Sequence, residues 1–238
     1  MPVFRPEDET QIRELLDALE RPVDLLVAHG PEEPPPLGAG DLDFGAETQR
    51  IVEALANLSE RVSYRVEDEQ ATAASGGRDS RPGAGGSADG ASSLRFERYP
   101  AVAVLPEGED VGIRYYGLPW GYELGSLIGA VVEAGKRESS LAPESLEALA
   151  ALDHDLAIDV FVTPTCPHCP PAVLMAYRVA LASPRVRAAA IEATEFPQLA
   201  DEMEVWSVPR IVVNRVPQWD GAVRERVFVE RILAPTFG

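Results

Sequence analysis

Cysteine is nearly absent from these 238 residues: there are two, Cys166 and Cys169. One pair cannot build a disulfide framework, and a zinc site of four thiolates is excluded by count. Histidine is almost as scarce, with His29, His154 and His168. Without a second CxxC or an HxxxH spacing, the sulfurs lack the further ligands a metal needs, and no metal is expected. Lysine occurs once, at Lys136, and Asp plus Glu outnumber Lys plus Arg by 39 to 21, for a net charge of -18. With no basic stripe to release phosphate counterions, neither nucleic acid nor an anionic membrane is a suitable partner. No apolar run reaches about 18 residues, and residues 1–6 lack a basic stretch followed by an apolar one, so a soluble cytoplasmic protein is expected.

Two glycine clusters also lack what would make them cradles. Gly38-Ala39-Gly40 has no downstream lysine or third glycine, and Gly83-Ala84-Gly85-Gly86 is not followed by helix-forming sequence. Both read as turns, and no cofactor is expected.

What is present is an ordinary globular composition, 45% hydrophobic and 25% charged, long enough for two cores of roughly 100 residues. Its centre of interest is Cys166-Pro167-His168-Cys169, between the apolar run 158–162 and Pro170-Pro171. A structural staple, a metal site and a redox pair are the three readings. A bridge between residues three apart removes little unfolded-state entropy, which disfavours the staple. A strand leading to CxxC at a helix start places the first sulfur where unpaired N–H groups stabilise a thiolate, which favours thiol–disulfide exchange.

Taken in order, 5–19 reads as an amphipathic helix, 23–28 as a buried strand, and 31–40, rich in Pro and Gly, as a loop. A helix at 46–58 and a strand at 61–66 follow. Residues 71–93 are mostly Ala, Gly, Ser and Asp and are expected to be a flexible insertion. Strands at 99–105 and 111–116 should form a hairpin, closed by a helix at 122–134. A polar stretch at 135–140 separates an expected first domain, 1–135, from a second, 136–238. The second half repeats the pattern: a helix opened by Pro143, a strand at 156–162, the CxxC helix ending at Ser183-Pro184, a strand at 186–191, a short helix at 196–203, a strand at 208–213, and a last helix within 223–233.

The recurrence is also residue by residue. At an offset of 133, Leu16, Leu19, Leu25 and Val27 meet Leu149, Leu152, Ile158 and Val160. At an offset of 104, Gly117, Leu124 and Ile128 meet Gly221, Phe228 and Ile232. The same 133 offset sets Glu33 and Pro36 against the two cysteines, so the first half has no thiol chemistry.

The element order resembles the thioredoxin fold, and its duplication resembles the tandem, glutaredoxin-like protein disulfide oxidoreductases. The segments that carry the likeness are 161–170 around the cysteines, Val208-Pro209-Arg210-Ile211-Val212-Val213, and 113–119. The resemblance implies an α/β fold of two tandem thioredoxin-like domains, each a mixed central sheet flanked by helices, the first degenerate and the second redox-active. It further implies that Cys166 attacks, Cys169 resolves, Pro167 and His168 modulate the site, and Pro209 is a cis proline, with Val208 offering backbone groups to an extended substrate. One departure is Val160, which stands where thioredoxin carries a buried carboxylate; Asp159 is adjacent, but strand alternation turns it to the other face.

The expected activity is therefore exchange of protein disulfides through Cys166 and Cys169. Expected partners are disulfide-containing proteins and a reductant in trans, either thioredoxin-reductase-like or glutathione-based. Two alternatives are an electron relay between a flavoprotein reductase and a peroxidase, resembling the paired folds at the start of alkyl hydroperoxide reductase flavoproteins, and a non-enzymatic interaction scaffold.

Overall fold

The computed structural model describes residues 3–30, 42–68 and 94–234. The loop expected at 31–40, the insertion expected at 71–93, and the positions Glu33 and Pro36 lie outside the described residues.

Local sequence sets the element ends. Pro6 starts helix α1 (Pro6–Asp17), with Glu7, Asp8 and Glu9 in the first turn where the macrodipole favours acids. Strand β1 (Val23–His29) leads to α2 (Phe44–Ala56), whose cap is Asp43: its Oδ1 accepts from the Ala46 N–H at 2.9 Å, worth about 1 kcal/mol. Then come β2 (Val62–Asp68), β3 (Ala101–Pro106), β4 (Ile113–Tyr116) and α3 (Tyr122–Ala134). The second half runs α4 (Pro143–Ala150), β5 (Leu156–Val162), α5 (Cys169–Ala182), β6 (Val186–Glu192), α6 (Pro197–Glu202), β7 (Arg210–Val213), β8 (Val216–Asp220) and α7 (Glu225–Leu233).

The duplication shows in the strand pairing. β1 runs parallel to β2 and antiparallel to β3, which pairs antiparallel with β4; β5, β6, β7 and β8 repeat this scheme. It extends to single hydrogen bonds. Pro100, just before β3, and Pro209, just before β7, both follow cis peptide bonds, and their carbonyls accept from the Gly117 and Gly221 N–H groups at 2.8 and 2.7 Å.

The two mixed sheets are fused. β4 pairs in parallel with β6, Ile113 opposite Ala188 through Tyr116 opposite Ile191, giving one eight-stranded sheet in the order β2-β1-β3-β4-β6-β5-β7-β8. Alternation puts Leu25, Val27, Tyr115, Ile158, Val160 and Ile211 on the face covered by the long helices, whereas Leu26, Phe161, Ile191 and Val212 face the other way. Residues 94–100 and α6 pack on that second face through Phe96, Tyr99 and Leu199.

At the junction α3, from the first half, packs on α5, from the second. Gly129 permits the approach, since a Cβ there would meet Leu174 Cδ2 at 2.6 Å. Leu127, Ala130 and Val131 of α3 are buried in the core, and an aliphatic side chain of Leu or Val size contributes about 1.5–3 kcal/mol when fully buried. Polar ties cross it as well: Arg178 donates to Glu133 at 2.8 Å, and the Tyr177 hydroxyl donates to the Arg114 carbonyl of β4 at 2.8 Å. Among the described residues no helix is long and apolar enough to cross a membrane.

Candidate functional site

Cys166 follows the carboxyl end of β5 by four residues, and Cys169 begins α5. The turn that joins them is fixed by backbone bonds, Cys166 N–H to the Thr163 carbonyl at 3.1 Å and Cys169 N–H to the Cys166 carbonyl at 3.4 Å. The two sulfurs form a disulfide with a Cα–Cα distance of 5.5 Å. Relative exposure is 8% for Cys166 and zero for Cys169, so an incoming thiol or disulfide reaches the first sulfur. Cys166 Sγ lies 3.7 Å from the Val208 carbonyl oxygen, and the Val208–Pro209 bond is cis. Pro167 and His168 are exposed on the turn, and the His168 side chain does not cap the helix. Pro170 and Pro171 occupy the first turn of α5 and carry no N–H, so fewer backbone donors are available to a thiolate than a helix start usually supplies.

Val160 is fully buried in the same apolar cluster as both cysteines, while Asp159 lies on the opposite face, where burial pushes its carboxyl up to about 6. Neither supplies a carboxylate beneath the disulfide.

A buried acid of the other half follows a loop that touches this turn. The loop 117–122 lies against the residues before Cys166: the Tyr122 N–H donates to the Pro164 carbonyl at 2.9 Å. Gly121, at φ 61°, allows this, because a Cβ would sit 2.2 Å from that same oxygen. The next residue, Glu123, is fully buried in the first turn of α3. Burial pushes its carboxyl up to about 8; the nearby Ser126 hydroxyl, outside strict hydrogen-bond geometry, pulls the other way, and the charge of Glu192 adds to the rise. Glu192, the last residue of β6, and Glu195, just beyond it, are each held at about 7, chiefly by burial. The buried Tyr115 and Tyr177 hydroxyls complete this cluster, both pushed well above the usual range by burial and then by Glu123. Sequence reasoning missed Glu123, which reads as one more acidic residue at a helix start; the available signal was its position directly after the Gly-Leu-Pro-Trp-Gly-Tyr loop, whose Gly117 corresponds to Gly221 after the second half's hairpin.

Residues 156–234 match the thioredoxin domain family. Over 96% of its length the chain superimposes on a protein disulfide oxidoreductase from Aeropyrum pernix K1, with a TM-score of 0.78, 25% identity and 91% of that chain covered. The chain as a whole has the fold of these thioredoxin-like proteins. The same share of this thioredoxin-fold chain superimposes on the NTD_N/C domain of the alkylhydroperoxide reductase AhpF from Enterococcus faecalis, with a TM-score of 0.77, 23% identity and 99% of that chain covered. In sequence it is similar to the alkyl hydroperoxide reductase AhpF of Pseudomonas putida, 23% identical over 87% of this chain and 33% of the relative, and to that of Escherichia coli, 24% identical over the same shares. It thus spans about a third of the length of these relatives. Among the described residues no cluster of His, Cys, Asp and Glu is suited to a metal ion.

Proposed function

We propose that this chain exchanges electrons with protein disulfides through Cys166 and Cys169. The observation that carries the reading is the placement of the only two cysteines as a disulfide whose more exposed sulfur lies 3.7 Å from the Val208 carbonyl. In the reduced protein, the Cys166 thiolate attacks one sulfur of a partner disulfide, forming a mixed disulfide and releasing one partner thiol. Cys169, deprotonated, attacks the Cys166 sulfur, closes the internal disulfide and releases the second thiol. Two electrons and two protons pass to the partner, and the reverse sequence reloads the pair from a dithiol donor. Backbone groups of Val208, next to Pro209, hold the partner's extended chain beside the sulfur. Pro167 and His168 tune the turn, and Glu123, whose carboxyl is raised to about 8 and so close in basicity to a thiolate, is the group assigned to exchange the Cys169 proton in its ionised form.

A second reading, favoured by the near-complete overlap with the alkylhydroperoxide reductase domain, is that the pair relays electrons from a flavoprotein reductase to a peroxidase. Both readings use one chemistry and differ in donor and acceptor. The test is trapping: Cys169→Ser should stall as a mixed disulfide with an insulin or peroxidase substrate, whereas Cys166→Ser should form none. Adducts through Cys166→Ser alone would reverse the roles, and adducts with neither would end the proposal.

A further inference from the structure

Three segments meet around the disulfide, and none contains an Asp, Glu, Lys or Arg. Residues 163–169, Thr-Pro-Thr-Cys-Pro-His-Cys, hold the cysteines; residues 117–122, Gly-Leu-Pro-Trp-Gly-Tyr, touch that segment where Tyr122 meets Pro164; residues 205–209, Val-Trp-Ser-Val-Pro, touch it where Val208 meets the Cys166 sulfur. In a chain that is 25% charged, with a net charge of -18, an uncharged surface assembled from three separate segments is a distinct feature. It also holds three of the large hydrophobic side chains most exposed among the described residues, Trp206 at 84%, Tyr122 at 54% and Trp120 at 52%. Exposing indole and phenol rings to water is costly unless another surface covers them, and such rings are the usual anchors of protein contacts.

We infer that Trp120 and Tyr122 of the cysteine-free half, together with Trp206, form a docking rim for an extended partner segment whose redox cysteine is flanked by uncharged aliphatic or aromatic residues. This deepens the proposed exchange activity and rests on it. The occupant follows from charge. The Trp and Tyr rings offer no ion-pairing group to a charged flank, so a charged residue pressed against them would lose hydration without compensation. A strongly negative flank is further opposed by the field of the whole protein. Glutathione disulfide, acidic and small, meets neither the rings nor the field. The first half then keeps a task despite lacking cysteines: it selects which disulfide reaches Cys166.

The experiment uses the full chain, reduced and freed of reductant, against four disulfides: 2-hydroxyethyl disulfide and three peptide disulfides of one length, flanked by Leu and Phe, by Glu, or by Lys. Wild type should reduce the Leu/Phe peptide with a kcat/KM at least about tenfold above that for the Glu and Lys peptides. In Trp120→Ser and Trp206→Ser, the ratio of Leu/Phe-peptide to hydroxyethyl-disulfide kcat/KM should fall about tenfold, mainly through KM, the loss expected for an aromatic anchor. Faster reduction of the Lys or Glu peptide, or a ratio that stays within twofold in both variants, overturns the rim while leaving the exchange chemistry standing. Failure of wild type on all four disulfides ends the exchange reading and the rim with it.

Discussion

Glu195 Oε1 accepts a hydrogen bond from the Leu118 N–H at 2.8 Å, so a carboxyl of the second half holds the first half's loop beside the disulfide. The same carboxyl is raised to about 7, mainly by burial, and Glu192 beside it likewise. The latch is therefore made by a group that the fold prefers to keep protonated near neutrality.

The first prediction follows from these raised values. Between the unfolded carboxyl value near 4.5 and the folded values near 7, the native state binds more protons than the unfolded one, so stability falls as pH rises through that window. Glu133 acts at the other end: burial alone would raise it, but hydrogen bonds from Arg178, Ser140 and Lys136 hold it at about 2, giving stability that is lost as pH falls below 4.5. Maximum stability is expected near pH 5. Denaturant unfolding at pH 5 and pH 8 should show Glu195→Gln losing less than wild type between the two, the difference being at most about 3 kcal/mol. An equal loss in both proteins would show that Glu195 is not the group titrating.

Much of this fold was legible because most elements bury one periodic face. The run 156–162 and the helix 122–134 were readable to the residue. Strand β8 was not located, because Pro217 interrupts its pattern and its turn uses Asn214 and Arg215 at φ 51° and 65°, without the glycine that marks such turns. Nor did the pattern show that the sheets fuse at β4 and β6, since a strand buried on both faces reads the same at an edge or at the centre. Glu123 stayed hidden for a related reason. Periodicity gave α3 one apolar face through Leu124, Leu127, Ile128 and Val131, but α5 covers it from another side, burying Glu123 and Ser126 and leaving Leu124 half exposed. The disulfide position was plain from the count of cysteines; the burial of Glu123 required the tertiary contact.

The second prediction concerns the proposed division at 135/136. Removing the first half uncovers the β6 edge and the α5 face that α3 covers, and breaks the Arg178–Glu133 and Tyr177–Arg114 bonds. A 136–238 fragment should retain dithiol oxidation but unfold at clearly lower denaturant concentration than the full chain, which should unfold in one transition. A fragment with an unchanged midpoint would make the halves independent.

The third tests Glu123 as proton acceptor. Glu123→Gln cannot take the Cys169 proton, so resolution of the mixed disulfide should slow roughly tenfold or more at pH 7 and recover as pH rises and hydroxide deprotonates the thiol directly. The decisive signature is the pH profile of the resolving step in single turnover. A uniform slowing at every pH would mean that Glu123 supports the packing and moves no proton.

The last prediction concerns the reactivity of Cys166. Its environment holds opposing features: the N-terminal end of α5 favours a thiolate through the macrodipole, but Pro170 and Pro171 remove two first-turn donors, and Val160 supplies no charge from below. The remaining adjustable group is His168, exposed on the turn between the cysteines. A protonated imidazole there favours the thiolate, with an effect that solvent weakens. In the reduced protein, Cys166 should therefore alkylate with a midpoint below the free-thiol value of about 8.5. His168→Leu should raise that midpoint and shift the reduction potential against glutathione to a less oxidising value, because a less stabilised thiolate stabilises the dithiol form less. Identical midpoints and potentials in the two proteins would make His168 a bystander, and a wild-type midpoint at the free-thiol value would remove the stabilised thiolate itself.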